Sequence, residues 1–474
     1  MRFLSSQRFA LRALLLIVLL ATATAQAQPA GLGWQVFLPQ VRHPVVPPIF
    51  GAQIRPGNVA ATVDKAVAGG INWVRYGDSL WSEIEPTPGA RNWDSQALVE
   101  QELRILAEHN LTTLLVVRSA PTWAQQVPGA SCARIKPEAY DAFAVFVRDL
   151  VLRYSAPPYN VRYWELWNEP DVDPRLVDPS SGFGCWGNRD EPFYGGAAYG
   201  EMLKRVYPVV KQADPNAQIV FGGLLLDCDP DAPPPDRTAA DCASAGFLEG
   251  ALRVGAGQAF DVLSYHGYAF WSSQPAMTDW DLTQESWKRR GGAVLGKLRF
   301  LREVLARYRL APPILLTEVG LLCTNDAKTC SEVFPPQQAS YVTRIFTRAW
   351  ANGLLGAIWY TFDGPGWLGS SILDPQQQPR PAYHALSFLA EALRGANFRE
   401  ALGSGNLEGY RFQKGNTTYL IYWTNSAVTT TVTLPRMPDH VYNSVGQPIS
   451  VTGDRLIVGF EPLIVELREG THAP

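Results

Sequence analysis

Along most of the chain, short and almost uninterrupted apolar runs alternate with longer amphipathic stretches. The runs are "IFGAQIR" around 50–55, "INWVRYG" (71–77), "LTTLLVVRS" (111–119), "VRYWELWNE" (161–169), "AQIVFGGLLL" (217–226), "FDVLSYHGY" (260–268), "PILLTEVG" (313–320) and "LGAIWYTFDG" (355–364). Continuous apolar character closed by a polar residue is the pattern of a parallel strand buried on both faces. The intervening stretches have helical periodicity: "SQALVEQELRILAEHN" from Ser95, "PEAYDAFAVFVRDLVLRYS" from Pro137, "AYGEMLKRVYPVVKQADP", "GAVLGKLRFLREVLARYR", "QASYVTRIFTRAWANG" and "AYHALSFLAEAL". The alternation predicts an α/β fold, a (β/α)8 TIM barrel, over 49–396. The rival is an open doubly wound sheet, but no glycine-rich phosphate turn follows the first strand. From Asn397 the rhythm changes to short alternating strands with turns at "KGN" and "TNS", which predicts a small C-terminal antiparallel β-sandwich over 397–474.

The first 48 residues stand apart. Arg2, Arg8 and Arg12 precede an apolar run, and "AQA" at Ala25–Ala27 is a small-x-small site, so 1–27 reads as a signal peptide. A retained membrane anchor is the alternative, for which the run is short. Residues 28–48 are Pro-rich, with "WQVFLP" (34–39) a candidate edge strand. The expectation is therefore a secreted, periplasmic or extracellular protein, monomeric and without a membrane span once cleaved. A net charge of −3 gives no reason to expect nucleic acid.

Six cysteines in an exported chain make disulfides plausible: Cys132, Cys185, Cys228, Cys242, Cys323 and Cys330. Fifteen pairings are possible. Two local spacings suggest Cys228–Cys242 and Cys323–Cys330, leaving Cys132–Cys185, and all six positions fall in the stretches that follow a predicted strand end.

Catalytic residues of such barrels sit at the C-terminal ends of strands. Glu169 closes the fourth run and Glu318 the seventh. Two carboxyl groups converging over one pocket are the equipment of glycoside hydrolysis. "WNEP" and "TEVG" at these positions, Arg75 in "NWVRYG", the segment "WSEIEPTPGARNWD", "SYHGY", "IWYTFDG" and "PRPAYHAL" together resemble glycoside hydrolase clan A, family 39 most closely, with families 5 and 30 nearby. The resemblance spans essentially all of the chain after residue 27. It implies a secreted retaining glycosidase acting by double displacement, with Glu318 as nucleophile and Glu169 as general acid/base. It further implies that Asn168 binds the sugar 2-hydroxyl, that Arg75 and Tyr268 hold Glu318 in its charged form, that His266 lines the same edge, and that Trp359 is a sugar platform.

Trp123 is a further candidate for substrate contact, and Trp81, Trp186, Trp271 and Trp367 lie in or near the same loops. Among these, structural and sugar-binding roles are expected in about equal share. The expected partner is a carbohydrate. A transglycosylase with the same intermediate and a non-catalytic carbohydrate-binding barrel are the alternatives. No metal or cofactor is expected, because His43, His109, His266, His384, His440 and His472 are scattered without ligand spacing. Asp227, Asp229 and Asp231 could hold calcium, although solvated loop charge is the simpler account.

Overall fold

The computed structural model describes residues 49–130, 132–178, 182–273 and 277–469. The expected signal peptide, Pro-rich segment and N-terminal edge strand lie outside the described residues. Eight parallel strands close a barrel in chain order. They are β1 (Phe50–Gln53), β2 (Trp73–Leu80), β3 (Thr112–Arg118), β4 (Tyr163–Asn168), β5 (Gln218–Leu224), β6 (Val262–Trp271), β7 (Ile314–Cys323) and β8 (Gly356–Trp359), with β8 returning to pair with β1.

The helices Val59–Ala68, Ala97–Glu108, Tyr140–Tyr154, Gly196–Ala213, Phe247–Arg253, Leu295–Arg307, Phe334–Ala351 and Pro381–Leu393 each follow one of these strands. Six match stretches of helical periodicity in the sequence. Phe247–Arg253 spans two turns, too few for a period of 3.6 to register. Val59–Ala68 buries Val59, Thr62, Val63 and Ala66, a helical spacing that the sequence does carry over a short span.

Inside the barrel, side chains form layers in step with the two-residue strand repeat. Trp73, Leu114, Val220, Val262, Leu315 and Ile358 make an apolar floor near the strand starts. One pleat further along, β2, β4 and β6 contribute Arg75, Glu165 and Ser264. That layer is polar and saturated: Arg75 Nε donates to Glu165 at 2.6 Å, and the Ser264 hydroxyl bonds the other Glu165 oxygen at 2.9 Å. The pocket rests on it.

After the barrel, β9 (Asn397–Leu402), β10 (Leu407–Lys414), β11 (Thr417–Thr424), β13 (His440–Asn443) and β15 (Leu463–Arg468) form an antiparallel sheet in the order β13-β15-β11-β10-β9. A two-stranded sheet of β12 (Thr430–Thr433) and β14 (Arg455–Val458) faces it, as a sandwich requires. Alternate residues of β11 serve different cores. Leu420 and Tyr422 pack with Leu456 and Val458 inside the sandwich, while Ile421 and Trp423 join the hydrophobic core that runs on through the barrel.

All three expected disulfides are present: Cys132–Cys185, Cys228–Cys242 and Cys323–Cys330. Among the described residues, no helix is long and apolar enough to cross a membrane.

Candidate active site

A cavity of about 850 Å³ opens at the C-terminal ends of the barrel strands. Its lining includes Arg75, Asn168, Glu169, Tyr268 and Glu318, so five of the residues singled out in the sequence meet in one place.

The end of β4 explains how Asn168 and Glu169 both reach it. Trp167 (φ 77°) and Glu169 (φ 48°) adopt left-handed backbone conformations, uncommon outside glycine and often found where function demands them. The strand alternation breaks there. Trp167 turns back into the core, its indole donating to the Gly184 carbonyl at 3.0 Å and its ring set edge-on to Trp186. The neighbouring amide and carboxyl are left facing the pocket. On β6 and β7, register shifts after Tyr265 and Leu316 bring His266 opposite Glu318.

The two carboxyl groups have different surroundings. Glu318 accepts hydrogen bonds from Arg75 and from the Tyr268 hydroxyl. Burial opposes the charge on Arg75, but Glu165 and Glu318 outweigh it and hold the guanidinium more firmly protonated than an ordinary arginine. Burial, reinforced by Glu318, keeps the Tyr268 phenol protonated well above its usual range, so it remains a donor. Arg75 also donates to Asn168 at 2.6 Å and to Gln53 at 2.8 Å, which orients the amide beside the acid.

Glu169 instead meets the His266 ring nitrogen Nδ1 at 2.8 Å. Burial pushes the Glu169 carboxyl up to about 7, against the pull of Arg75 and Lys297. Burial likewise pushes His266 down to about 4, so the imidazole is neutral near pH 7. Its Nε2 is buried without a partner, which assigns the proton to Nδ1 and makes His266 the donor to Glu169. A side chain on Gly223 would strike that ring, its Cβ falling 2.1 Å from Nε2, so glycine is required for the imidazole to fit. One ligand atom each from Glu169, His266 and Glu318 lies within 4.8 Å of the other two. A divalent cation could use such a spacing, but the Arg75 guanidinium already puts a fixed positive charge on Glu318. The set suits proton transfer and nucleophilic attack.

No protein-family model matches the chain, and no curated protein matches it. Solved structures do. The fold is shared with glycoside hydrolases. A family 39 glycoside hydrolase from Bacteroides cellulosilyticus WH2 is 19% identical with a TM-score of 0.64, covering 89% of this chain and 81% of that one. A family 30 subfamily 8 xylanase from Clostridium acetobutylicum is 11% identical (TM-score 0.58; 89% and 96% covered). A family 39 β-xylosidase from Caulobacter crescentus is 14% identical (TM-score 0.55; 89% and 96%). At these identities the likeness establishes the fold.

Several expected contacts are corrected. Trp359 has no exposed face: it packs on Tyr341 of the outer helix layer, and its indole donates to the Ser370 carbonyl at 2.7 Å. A platform needs a free ring face. The next residue, Tyr360, lies on the opposite side of the chain and lines the pocket. His266 is wholly buried behind Glu169, touching the acid without lining the cavity.

Trp123 is half-buried away from the pocket, bonded to the Glu85 carbonyl and set edge-on to Trp81. Trp81, Trp186 and Trp271 are core residues, Trp186 holding its loop against Trp167 and Tyr199. Trp367 alone of that group lines the cavity, 47% exposed and edge-on to Tyr268. The aspartate loop is ion-paired: Asp227 with Arg237, and Asp229 and Asp231 with Arg290.

Residues the sequence reading missed include Gln53, Glu165, Tyr360 and Lys297. Glu165 carried a signal, a carboxylate inside an otherwise apolar strand, which is tolerated only with a buried partner.

Proposed function

We propose that the protein is a secreted glycosidase that cleaves O-glycosidic bonds of a glycan or glycoside with retention of configuration. The observation that carries this reading is the pair of carboxyl groups: one oxygen of Glu169 and one of Glu318 within 4.8 Å, facing one pocket in unlike environments. Retaining enzymes place these groups about 5–5.5 Å apart, whereas inverting enzymes leave about 6.5–9.5 Å for a water.

Glu318, held by Arg75 and Tyr268, attacks the anomeric carbon while Glu169 passes its proton to the departing glycosidic oxygen. The Glu318 carboxylate becomes the ester of a glycosyl-enzyme, and the alcohol leaves. Water enters, Glu169 takes its proton, the hydroxyl oxygen bonds to the anomeric carbon, and Glu318 departs as carboxylate. Asn168, oriented by Arg75, is placed to bond the sugar 2-hydroxyl, an interaction that strengthens as positive charge develops on the ring. Tyr360, Trp367 and Phe270 supply aromatic surface for the carbon faces of sugar rings. One chain completes the site, in keeping with a monomer, and three disulfides favour an oxidising compartment.

Azide rescue tests the assignment. In Glu169→Ala, azide should restore turnover of an activated aryl glycoside and give the glycosyl azide of retained configuration. In Glu318→Ala it should give the inverted one. Undiminished hydrolysis by both variants without azide would sink the proposal.

A further inference from the structure

Lys297 is buried, comes from the first turn of the helix Leu295–Arg307, and lines the cavity. Its ammonium donates to the main-chain carbonyls of Leu225, just past β5, and His266 on β6, the latter at 3.0 Å. Among the described residues it forms no direct ion pair. Two neutral carbonyls are poor compensation for a desolvated ammonium. Burial pushes Lys297 down to about 8, against the opposing pull of Asp171, Glu169, Asp227 and Asp281.

We propose that Lys297 is a positioning residue: by clasping the Leu225 and His266 carbonyls behind Glu169, it fixes the imidazole against that carboxyl, and its charge sets where Glu169 gives up its proton. The proposal rests on the glycosidase reading for its catalytic meaning, but not for its electrostatic content.

Two phenols face Glu169, Tyr268 on β6 and Tyr360 just past β8, and burial raises both so that they stay neutral, Tyr360 to about 12 and Tyr268 well above its usual range. Arg75 on β2 exerts the larger pull on Glu169, partly offset by Glu165, and is itself bonded to Glu165 and Glu318. Glu165 on β4 and Glu318 on β7 are both acidic. His266 on β6 is neutral near pH 7. Asp171, just past β4, accepts from the Leu225 and Leu226 amides at 2.9 and 2.8 Å, and burial pushes it up to about 7 as well. Of the two cations that pull on Glu169 among the described residues, Lys297 is the one with no carboxylate bonded to it. Deleting it should favour the protonated acid.

The test uses the full chain labelled with 13C at the glutamate carboxyls, with the Glu169 signal assigned by its loss in Glu169→Gln. The wild-type midpoint is expected near 7. In Lys297→Met and Lys297→Gln it should rise by roughly one pH unit, and Lys297→Arg should return it towards the wild-type value. On an aryl glycoside, the basic limb of kcat/KM should move by the same amount. The kcat of Lys297→Met at its own optimum should fall roughly tenfold, with KM changing less.

A midpoint in the neutral variants that coincides with wild type, or falls below it, overturns the proposal. Failure of both neutral variants to fold does so too, since Lys297 would then be a packing element. A shifted midpoint in a protein whose wild type hydrolyses no glycoside would instead count against the functional reading alone.

Discussion

Two buried arginine–carboxylate clusters in this molecule invite comparison. One is at the barrel mouth, where Arg75 bonds Glu165, Glu318 and Asn168. The other lies beneath the C-terminal sheet. There Arg344 and Arg348, from the helix Phe334–Ala351, clasp Asp279, and Arg348 also bonds Glu408 at 2.9 and 2.7 Å. Both clusters are desolvated and both perturb proton affinities. The second is sealed except at Glu408, which edges a shallow cavity: Arg344 also donates to the Phe460 carbonyl and lies over the Phe460 ring, and both arginines face Trp423. The first opens on a cavity and leaves next to it a carboxyl held near 7, whereas Asp281, beside Arg348 in the second and pushed up to about 7 by burial as well, has no exposed surface. Burial and ion pairing therefore do not distinguish a site from a strut. Access, together with a neighbouring group left free to exchange a proton, does.

The largest expected effect breaks the comparison outright. Glu318→Ala should lower kcat roughly 10,000-fold or more, the scale seen when a covalent nucleophile is removed, without loss of thermal stability. Steady-state kinetics beside a thermal melt would decide it, and a variant that melts early would make the mouth cluster a strut as well.

Asp279→Ala should do the reverse, costing about 3–5 kcal/mol because two buried guanidinium groups lose their partner. Burial works against the charge on Asp279, but Arg348 and Arg344 outweigh it and hold the carboxyl below its usual range. Its contribution is therefore full above the unfolded value, about 4, and fades as pH falls through the lower folded one. The difference from wild type in urea unfolding should be constant from about pH 5 to 8. A difference that vanishes at pH 7 would refute this account.

Smaller again is the bridge Cys323–Cys330, which begins five residues after Glu318. On the chain-entropy estimate so short a loop contributes about 2–3 kcal/mol. Replacing both cysteines by serine should cost up to that amount, while activity falls further than stability, because the loop belongs to the face that carries the cavity. Parallel denaturation and kinetic curves would check this, with equal losses telling against a role in shaping the cleft.

The smallest effect sharpens the comparison. Glu169 must be protonated to serve as the acid, and burial places its value near 7. Above that, kcat/KM should fall about tenfold for each pH unit. A profile flat to pH 9 would mean that the open cluster leaves no exchangeable proton.

How much could be read from the chain alone follows from which signals are local. Strand positions and the two glutamates that meet over the cavity were legible because a buried parallel strand announces itself by uninterrupted apolar character, and a carboxylate at its end stands out. The disulfides were legible because their cysteines fall at or beyond strand ends on one face. Side-chain direction was not. Placing Trp359 at the mouth, rather than Tyr360, is an error of one residue in a repeat of two, and it reverses which ring is free. Trp81, Trp186 and Trp271 were candidates by loop position, yet long loops need their own anchors, and tryptophan serves that need as well as it serves a sugar. Glu165 and Lys297 acquire meaning only from partners on other elements, at separations that no local pattern encodes.

The alternation along β11 has a consequence for anyone who would trim or transplant the barrel. Because Ile421 and Trp423 belong to the same continuous core as the barrel helices, while Leu420 and Tyr422 fasten the outer strands, residues 397–469 are less an appendage than a keystone. A cut before Asn397 would bare the helix Phe334–Ala351, with its two arginines, to water. The barrel mouth would then stand on an unroofed wall, although none of its own residues had been touched.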